Sequence, residues 1–167
     1  MNELYAETAV KRKAKASDIV LKVFLVIGIV VLFVLSILLA GQFGRILTFV
    51  AVLAVVGLIW YWPRFQIEWE YVFCDGQLDF DMIMGGDKRK QALRIEIEEA
   101  DVIAPLDSSR MDGYRHLRVK DYSSLRSDTK KYAIVTKLKG EKIVLVFEPS
   151  EKMLDMMSTK APNIVEV

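Results

Sequence analysis

The 167-residue sequence has one cysteine and one histidine. A disulfide framework is thereby excluded, as is a zinc site of the usual Cys/His kind. Charge of one sign is missing too. Lys and Arg number 23 against 22 Asp and Glu, a formal net charge of +1, which excludes a wholesale basic nucleic-acid binder. What is abundant is apolar surface. Hydrophobic residues make up 53% while charged residues keep an ordinary 27%, against the roughly 45–50% apolar content of a soluble domain. A chain this apolar and this charged must segregate the two kinds of residue. Its length leaves room for one modest domain and a little more.

The excess lies between Ile19 and Trp62. Val23–Ala40 is an uncharged run of eighteen residues, and starting it at Ile19 gives twenty-two with Lys22 near the end. At 1.5 Å per residue, about 20 residues span a hydrocarbon core of roughly 30 Å. Lys22 then snorkels its ammonium to the headgroups. Ile46–Trp62 is a second uncharged run of seventeen residues. It ends in Trp60, Tyr61 and Trp62, an interfacial aromatic belt, and Pro63 and Arg64 stop it. Between the runs, Gly41–Arg45 suffices only for a tight reversal. A buried core helix does not run this long apolar on every face. A cleaved signal would be shorter, with a small-residue cleavage site. The expectation is two transmembrane helices, about 19–40 and 46–62. Ala51, Ala54 and Gly57 form either a close-packing stripe or the ordinary small residues of a membrane helix. Ser36 and Thr48 are the polar residues within the spans, and both can bond their own helix backbone.

The +1 is an average over unlike parts. Residues 1–22 carry five cations and three anions, the reversal carries Arg45, and residues 63–167 carry seventeen cations and nineteen anions. Lys11, Arg12, Lys13, Lys15 and Lys22, which precede or open the first helix, place the N-terminus in the cytoplasm by the positive-inside rule. Residues 1–18 are thus expected as a basic cytoplasmic stub on the inner leaflet. Residues 63–167 are expected as a cytoplasmic β-rich domain.

Within that domain, Phe65, Ile67, Trp69, Tyr71 and Phe73 alternate with Gln66, Glu68 and Glu70, the period of a half-buried strand. Asp75-Gly76 is a tight-hairpin dipeptide, and Leu78, Phe80 and Met82 continue the alternation on the way back. Gly85-Gly86-Asp87 turns the chain into a third strand, Lys88–Ile97, and Asp101–Leu106 is a fourth. Residues 107–131 are polar and read as a long loop or a weakly specified edge. Tyr132–Leu138 and Lys142–Phe147 form a final hairpin. Pro149 at a first helical position, Met153, Leu154, Met156 and Met157 on one side, and Pro162 as a stop predict a C-terminal helix at about 149–159.

Several segments carry a resemblance. Tyr71–Phe80 (YVFCDGQLDF), the basic Lys88–Lys90 leading to Leu93–Ile97 (LRIEI), and Val144–Leu154 (VLVFEPSEKML) resemble membrane-anchored bacterial pleckstrin-homology-like domains. Met1–Thr8 (MNELYAET), Ala104–Leu106, Val119–Ser124 (VKDYSS) and Phe147–Leu154 (FEPSEKML) give the whole chain a closer resemblance. It is to a family of small two-helix membrane proteins from clostridial bacteria, a domain of unknown function. The resemblance implies an α+β membrane protein of the bacterial inner membrane, multi-pass, with both termini cytoplasmic. It also implies a helical hairpin followed by an antiparallel, partly open β-barrel with one C-terminal helix. Such a fold binds lipids or proteins and as a rule does not catalyse.

Candidate sites are few. A first strand running about 30 Å from the membrane and a second returning bring the Gly85–Lys90 turn back toward the bilayer. There Lys88, Arg89 and Lys90 either contact anionic headgroups or form a solvated hairpin tip. Arg110, Tyr114, Arg115 and Arg118, with His116 and Lys120, make either a partner-binding loop or a mobile soluble one. Cys74 is a redox handle or a small buried apolar group. Glu96, Glu98, Glu99 and Asp101 lack the spacing of a calcium loop and read as a solvated strand end. No catalytic residues, metal site or cofactor are expected. The expected function is a non-enzymatic binding or scaffold module. Its partners would be the lipid bilayer and a protein or anionic headgroup, without nucleic acid. A membrane enzyme or enzyme subunit using the acidic strand end and the loop is the first alternative. A small oligomeric transporter subunit is the second.

Overall fold

A computed structural model describes residues 4–39 and 41–166. The start of the Met1–Thr8 segment, the expected helix end at Ala40 and the last residue, Val167, lie outside the described residues. The chain divides into two units, one holding residues 1–13, 67–83 and 87–167, the other 14–66 and 84–86.

In the helical unit, α1 (Ala16–Leu38) and α2 (Gln42–Tyr61) are followed by a 3₁₀ turn, Trp62–Phe65. The Asp18 carboxylate accepts from the Lys15 N–H at the start of α1 (3.3 Å). The reversal depends on Gly41, at φ 88°, and on Gly44, where a Cβ would collide with the carbonyl oxygens of Leu39 and Ser36. Ser36 donates to the Phe33 carbonyl (2.7 Å) and Thr48 to the Gly44 carbonyl (2.9 Å), so both hydroxyls are satisfied within their helices. Of the small-residue stripe, Ala51 is fully buried while Gly57 is exposed. Close packing is therefore at the Gly44–Ala51 end. The Lys22 ammonium lies 4.9 Å and 4.7 Å from the ring centroids of Trp62 and Phe65, and the Arg64 guanidinium stacks on Trp60 and Tyr61. Most of the remaining surface is bare hydrocarbon, with Phe24, Ile37 and Phe43 each more than 70% exposed. The Gly85-Gly86 turn also belongs to this unit. The Gly85 N–H donates to the Gln66 carbonyl (3.0 Å), and a Cβ at Gly85 would stand 2.7 Å from that of Pro63.

The β unit contains two four-stranded sheets. The first has the order β1 (Tyr5–Lys11), β2 (Ile67–Cys74), β3 (Gln77–Met84) and β4 (Lys88–Glu96). The second comprises β5 (Val102–Pro105), β6 (Arg118–Asp121), β7 (Tyr132–Leu138) and β8 (Glu141–Phe147), in the order β5-β7-β8-β6. All three hairpin turns, at Asp75-Gly76, Gly85-Gly86 and Lys139-Gly140, hold two successive residues at positive φ, the geometry that matches strand twist. Trp69, Tyr71, Phe73, Leu78 and Phe80 from the first sheet pack with Ile134, Leu145 and Phe147 from the second. Met153, Leu154 and Met157 of α3 (Glu151–Lys160) complete that core. Phe80 stacks with Tyr71, Tyr122 and Phe147 at centroid distances of 5.6, 5.0 and 5.8 Å.

Four expectations gain structural detail. Residues 5–11, within the expected basic stub, form an edge strand antiparallel to β2, with Ala6, Thr8 and Val10 opposite Phe73, Tyr71 and Trp69. The expected α+β order of helical hairpin, sheets and C-terminal helix is present, with β6 parallel to β8, and no closed barrel forms among the described residues. Residues 107–131, read as a long loop or a weakly specified edge, include the edge strand β6. A 3₁₀ helix at Ser109–Tyr114 sets Met111, Tyr114 and Leu117 against Val102, Val135, Val144 and Val146. The second sheet is therefore covered on both faces, which explains the unbroken apolar runs in β7 and β8. Finally, Ser150 and not Pro149 starts α3, its hydroxyl accepting from the Met153 N–H (3.3 Å).

A chain shortened to begin at Ala14 bares the β2 edge and the inner face that Ala6 covers. It is expected to be cut by trypsin within residues 67–167 at least about tenfold faster than the full chain in the same detergent. Equal cutting rates would show that β1 contributes nothing to the sheet.

Candidate functional site

The segment after β6 is held by buried polar groups. Ser123 and Ser124 are buried, 0% and 3% exposed, and so is Glu148 at 7%. One carboxylate oxygen of Glu148 accepts from the Ser124 N–H (2.9 Å), the Ser124 hydroxyl (2.7 Å) and the Thr129 hydroxyl (3.0 Å). A buried donor left without its partner costs about 1–3 kcal/mol. Around this point Asp121 caps the Ser123 N–H (2.8 Å), and the Ser123 and Ser124 hydroxyls accept from the N–H groups of Leu125 and Arg126, both at 3.2 Å. Leu125 is thereby held at φ 60°, a conformation that a branched side chain rarely adopts unless its surroundings impose it. The Tyr71 hydroxyl donates to the Tyr122 carbonyl (2.6 Å). Burial pushes the Tyr71 hydroxyl far above its usual titration range and raises that of Tyr122 as well, so both remain neutral.

The N-terminal strand reaches the same place. The Lys13 N–H donates to the Ser124 carbonyl (2.7 Å), and the Thr8 hydroxyl to the Ser150 hydroxyl (2.9 Å). Three of the sequence segments singled out above, around Thr8, Ser124 and Glu148–Ser150, thus meet at one polar junction.

Outside this junction lie two adjoining grooves that share Arg126 and Ser127. One, of about 440 Å³, is lined by Arg115, Arg126, Lys130 and Lys131 with Asp107. The other, of about 390 Å³, is lined by Lys11, Arg12, Lys13 and Arg126 with Asp128. Among the described residues none of Lys11, Arg12, Lys13, Arg126, Lys130 or Lys131 forms an ion pair. The Lys130 ammonium instead sits over the Tyr132 ring, 5.2 Å from its centroid. The grooves can hold an anion. The polar stretch Arg126–Lys131 carried no sequence signal for this, since its placement depends on Glu148, seventeen residues further along the chain than Lys131.

The residues expected from sequence do not assemble into one site. Arg89 pairs with the buried Glu70 and lies 3.6 Å from Asp81, while Lys88 and Lys90 stay exposed. Asp81 is raised by desolvation and by its neighbour Asp79, which in turn binds Arg94. Arg110 donates to the Asn163 carbonyl, Arg115 pairs with Asp112, and Tyr114 packs on the second sheet. Arg118, on β6, and His116 are exposed. Cys74 is exposed at the end of β2 and not a buried apolar group. In the acidic run, Glu96 accepts from Gln77, Glu98 lies near Lys160, and Asp101 pairs with Lys142. Among the described residues no three His, Cys, Asp or Glu side chains gather as metal ligands.

A family model described as a bacterial PH-like domain (DUF6106) matches residues 2–167. No curated protein and no solved structure matches the chain.

Glu148→Ala strands the Ser124 and Thr129 donors. It is expected to cost about 2–3 kcal/mol and to speed tryptic cleavage after Arg126 relative to wild type. Unchanged cleavage there would remove Glu148 from its role as the loop's anchor.

Proposed function

The chain belongs to the bacterial PH-like family, and we propose that it is a membrane-anchored, non-enzymatic binding or scaffold module of the inner membrane. One arrangement carries this proposal: two exposed apolar helices inserted between two strands that pair with each other. Ala16–Leu38 and Gln42–Phe65 are 23 and 24 residues long, with apolar windows suited to a membrane. At 1.5 Å per residue each reaches about 35 Å, enough for a hydrocarbon core of roughly 30 Å. Hydrocarbon bared on this scale needs a covering, and lipid supplies one.

The chain leaves the β unit after Lys13 and re-enters it at Ile67, and the Arg12 N–H donates to the Ile67 carbonyl (2.9 Å). Strands tied together in this way belong on one side of a bilayer, so the helices cross it an even number of times. The cations Lys11–Lys15 on that side, against Arg45 alone in the reversal, favour the cytoplasm. PH-like domains are as a rule binding modules, which favours recognition of a partner over catalysis. The partner is a protein or the anionic headgroups of the same leaflet.

Reporter fusions at the N-terminus and at the C-terminus are both expected to be active only in the cytoplasm, and the chain to stay in the membrane pellet through an alkaline carbonate wash. A reporter active outside, or release by the wash, overturns the anchor.

A further inference from the structure

We infer that the paired grooves around Arg126 bind the phosphate of an anionic phospholipid headgroup in the membrane that holds the helices, an assignment that rests on the anchor proposed above. Charge is the first argument. The two grooves bring together seven cations and two acids on a chain whose net charge is +1. Elsewhere in the β unit Arg89, Arg94, Lys142 and Lys160 are neutralised by Glu70, Asp79, Asp101 and Asp75, and the remaining cations line neither groove. Here Lys11, Arg12, Lys13, Arg126 and Lys131 have no such partner among the described residues. Like charges gathered without counter-charges repel one another, and a bound anion relieves that repulsion.

Rigidity is the second argument. Arg126 follows the strained Leu125, and its N–H is held by the Ser124 hydroxyl, itself fixed by the buried Glu148. A loop held in this way offers its cation without a large ordering cost on binding. An Arg at the shared wall suits a phosphate oxygen pair, because its fork matches that geometry.

Chain connectivity is the third. Lys13 lines one groove, and α1 begins at Ala16. Three residues of chain reach at most about 10 Å, so a helix that enters the bilayer at Ala16 keeps Lys13 within reach of the headgroup layer. Juxtamembrane cations there are drawn to anionic lipid. Lys88 and Lys90 have neither the grooves nor the uncompensated cluster, which is why the lipid contact is assigned to Arg126 and its neighbours.

The test uses the full chain in nanodiscs of phosphatidylcholine, with and without one quarter phosphatidylglycerol, read by hydrogen exchange. Amides of residues 126–131 are expected to exchange at least about threefold more slowly in the anionic discs, the effect of a site about two-thirds occupied or more. Arg126→Gln with Lys131→Gln should abolish that difference, whereas Lys137→Gln with Lys152→Gln, the same charge change outside the grooves, should preserve it. Equal loss in both double variants would leave only net charge at work and overturn the site. So would the same slowing from 5 mM inorganic phosphate in neutral discs (roughly the range of a weak anion site), which would mark a soluble phosphate ligand. A chain that enters the discs yet shows no lipid dependence overturns the site and leaves the anchor standing. A chain that does not enter them overturns both.

Discussion

Everything else in this chain depends on the pairing of β1 with β2. Seven residues that precede the helices lie in register with the strand that follows them, from Tyr5 opposite Cys74 to Lys11 opposite Glu68. The fifty-odd residues between become an excursion from one point of a sheet. A strand of this length is an unremarkable unit of sheet structure, but its position in the sequence makes it a clamp. It joins both ends of an apolar hairpin, and it carries the cations Lys11–Lys13 to the surface formed by Arg126 and Ser127.

A second constraint operates inside the β unit. Glu148 is an acid buried beside three donors and, among the described residues, paired with no cation, and burying such a group is costly unless its hydrogen bonds are made. Here they are made by Ser124 and Thr129, so the loop cannot move away without leaving a carboxylate unpaired. The same junction receives the Lys13 N–H and, through Ser150, the Thr8 hydroxyl. The loop, the N-terminal strand and the start of α3 are thus coupled through one polar centre, a more demanding arrangement than the apolar core of Tyr71, Phe80 and Phe147 beneath it.

The helices, the β2–β3 hairpin and the closing helix were legible because their signals are local. Uncharged runs, the alternation around Trp69 and Tyr71, and Asp75-Gly76 each declare themselves within a short window. The first strand did not. Ala6, Thr8 and Val10 alternate correctly with Glu7 and Ala9, but small side chains give a faint period, and the adjoining Lys11–Lys15 draws the eye to the membrane. The parallel partner of β8 was equally silent, since only Val119 and its register with Val144 mark β6. The basic grooves lay beyond local reading altogether. Their cations come from residues 11–13, 115 and 126–131, and what assembles them is a carboxylate at position 148. Lys88–Lys90 looked more like a site because three cations adjoin in sequence, yet Arg89 spends its charge on Glu70.

The clamp can be measured directly by oxidative cross-linking in membranes, with Cys74 replaced by serine. Glu7 and Val72 are direct cross-strand partners, and opposed residues at this spacing accept a disulfide. The pair Glu7→Cys with Val72→Cys is predicted to close an intramolecular disulfide in the full chain, while Glu7→Cys with Glu70→Cys, displaced by two residues, is predicted to remain open. Cross-links only between copies, or equal cross-linking in both pairs, would contradict a sheet that closes across its own helical hairpin.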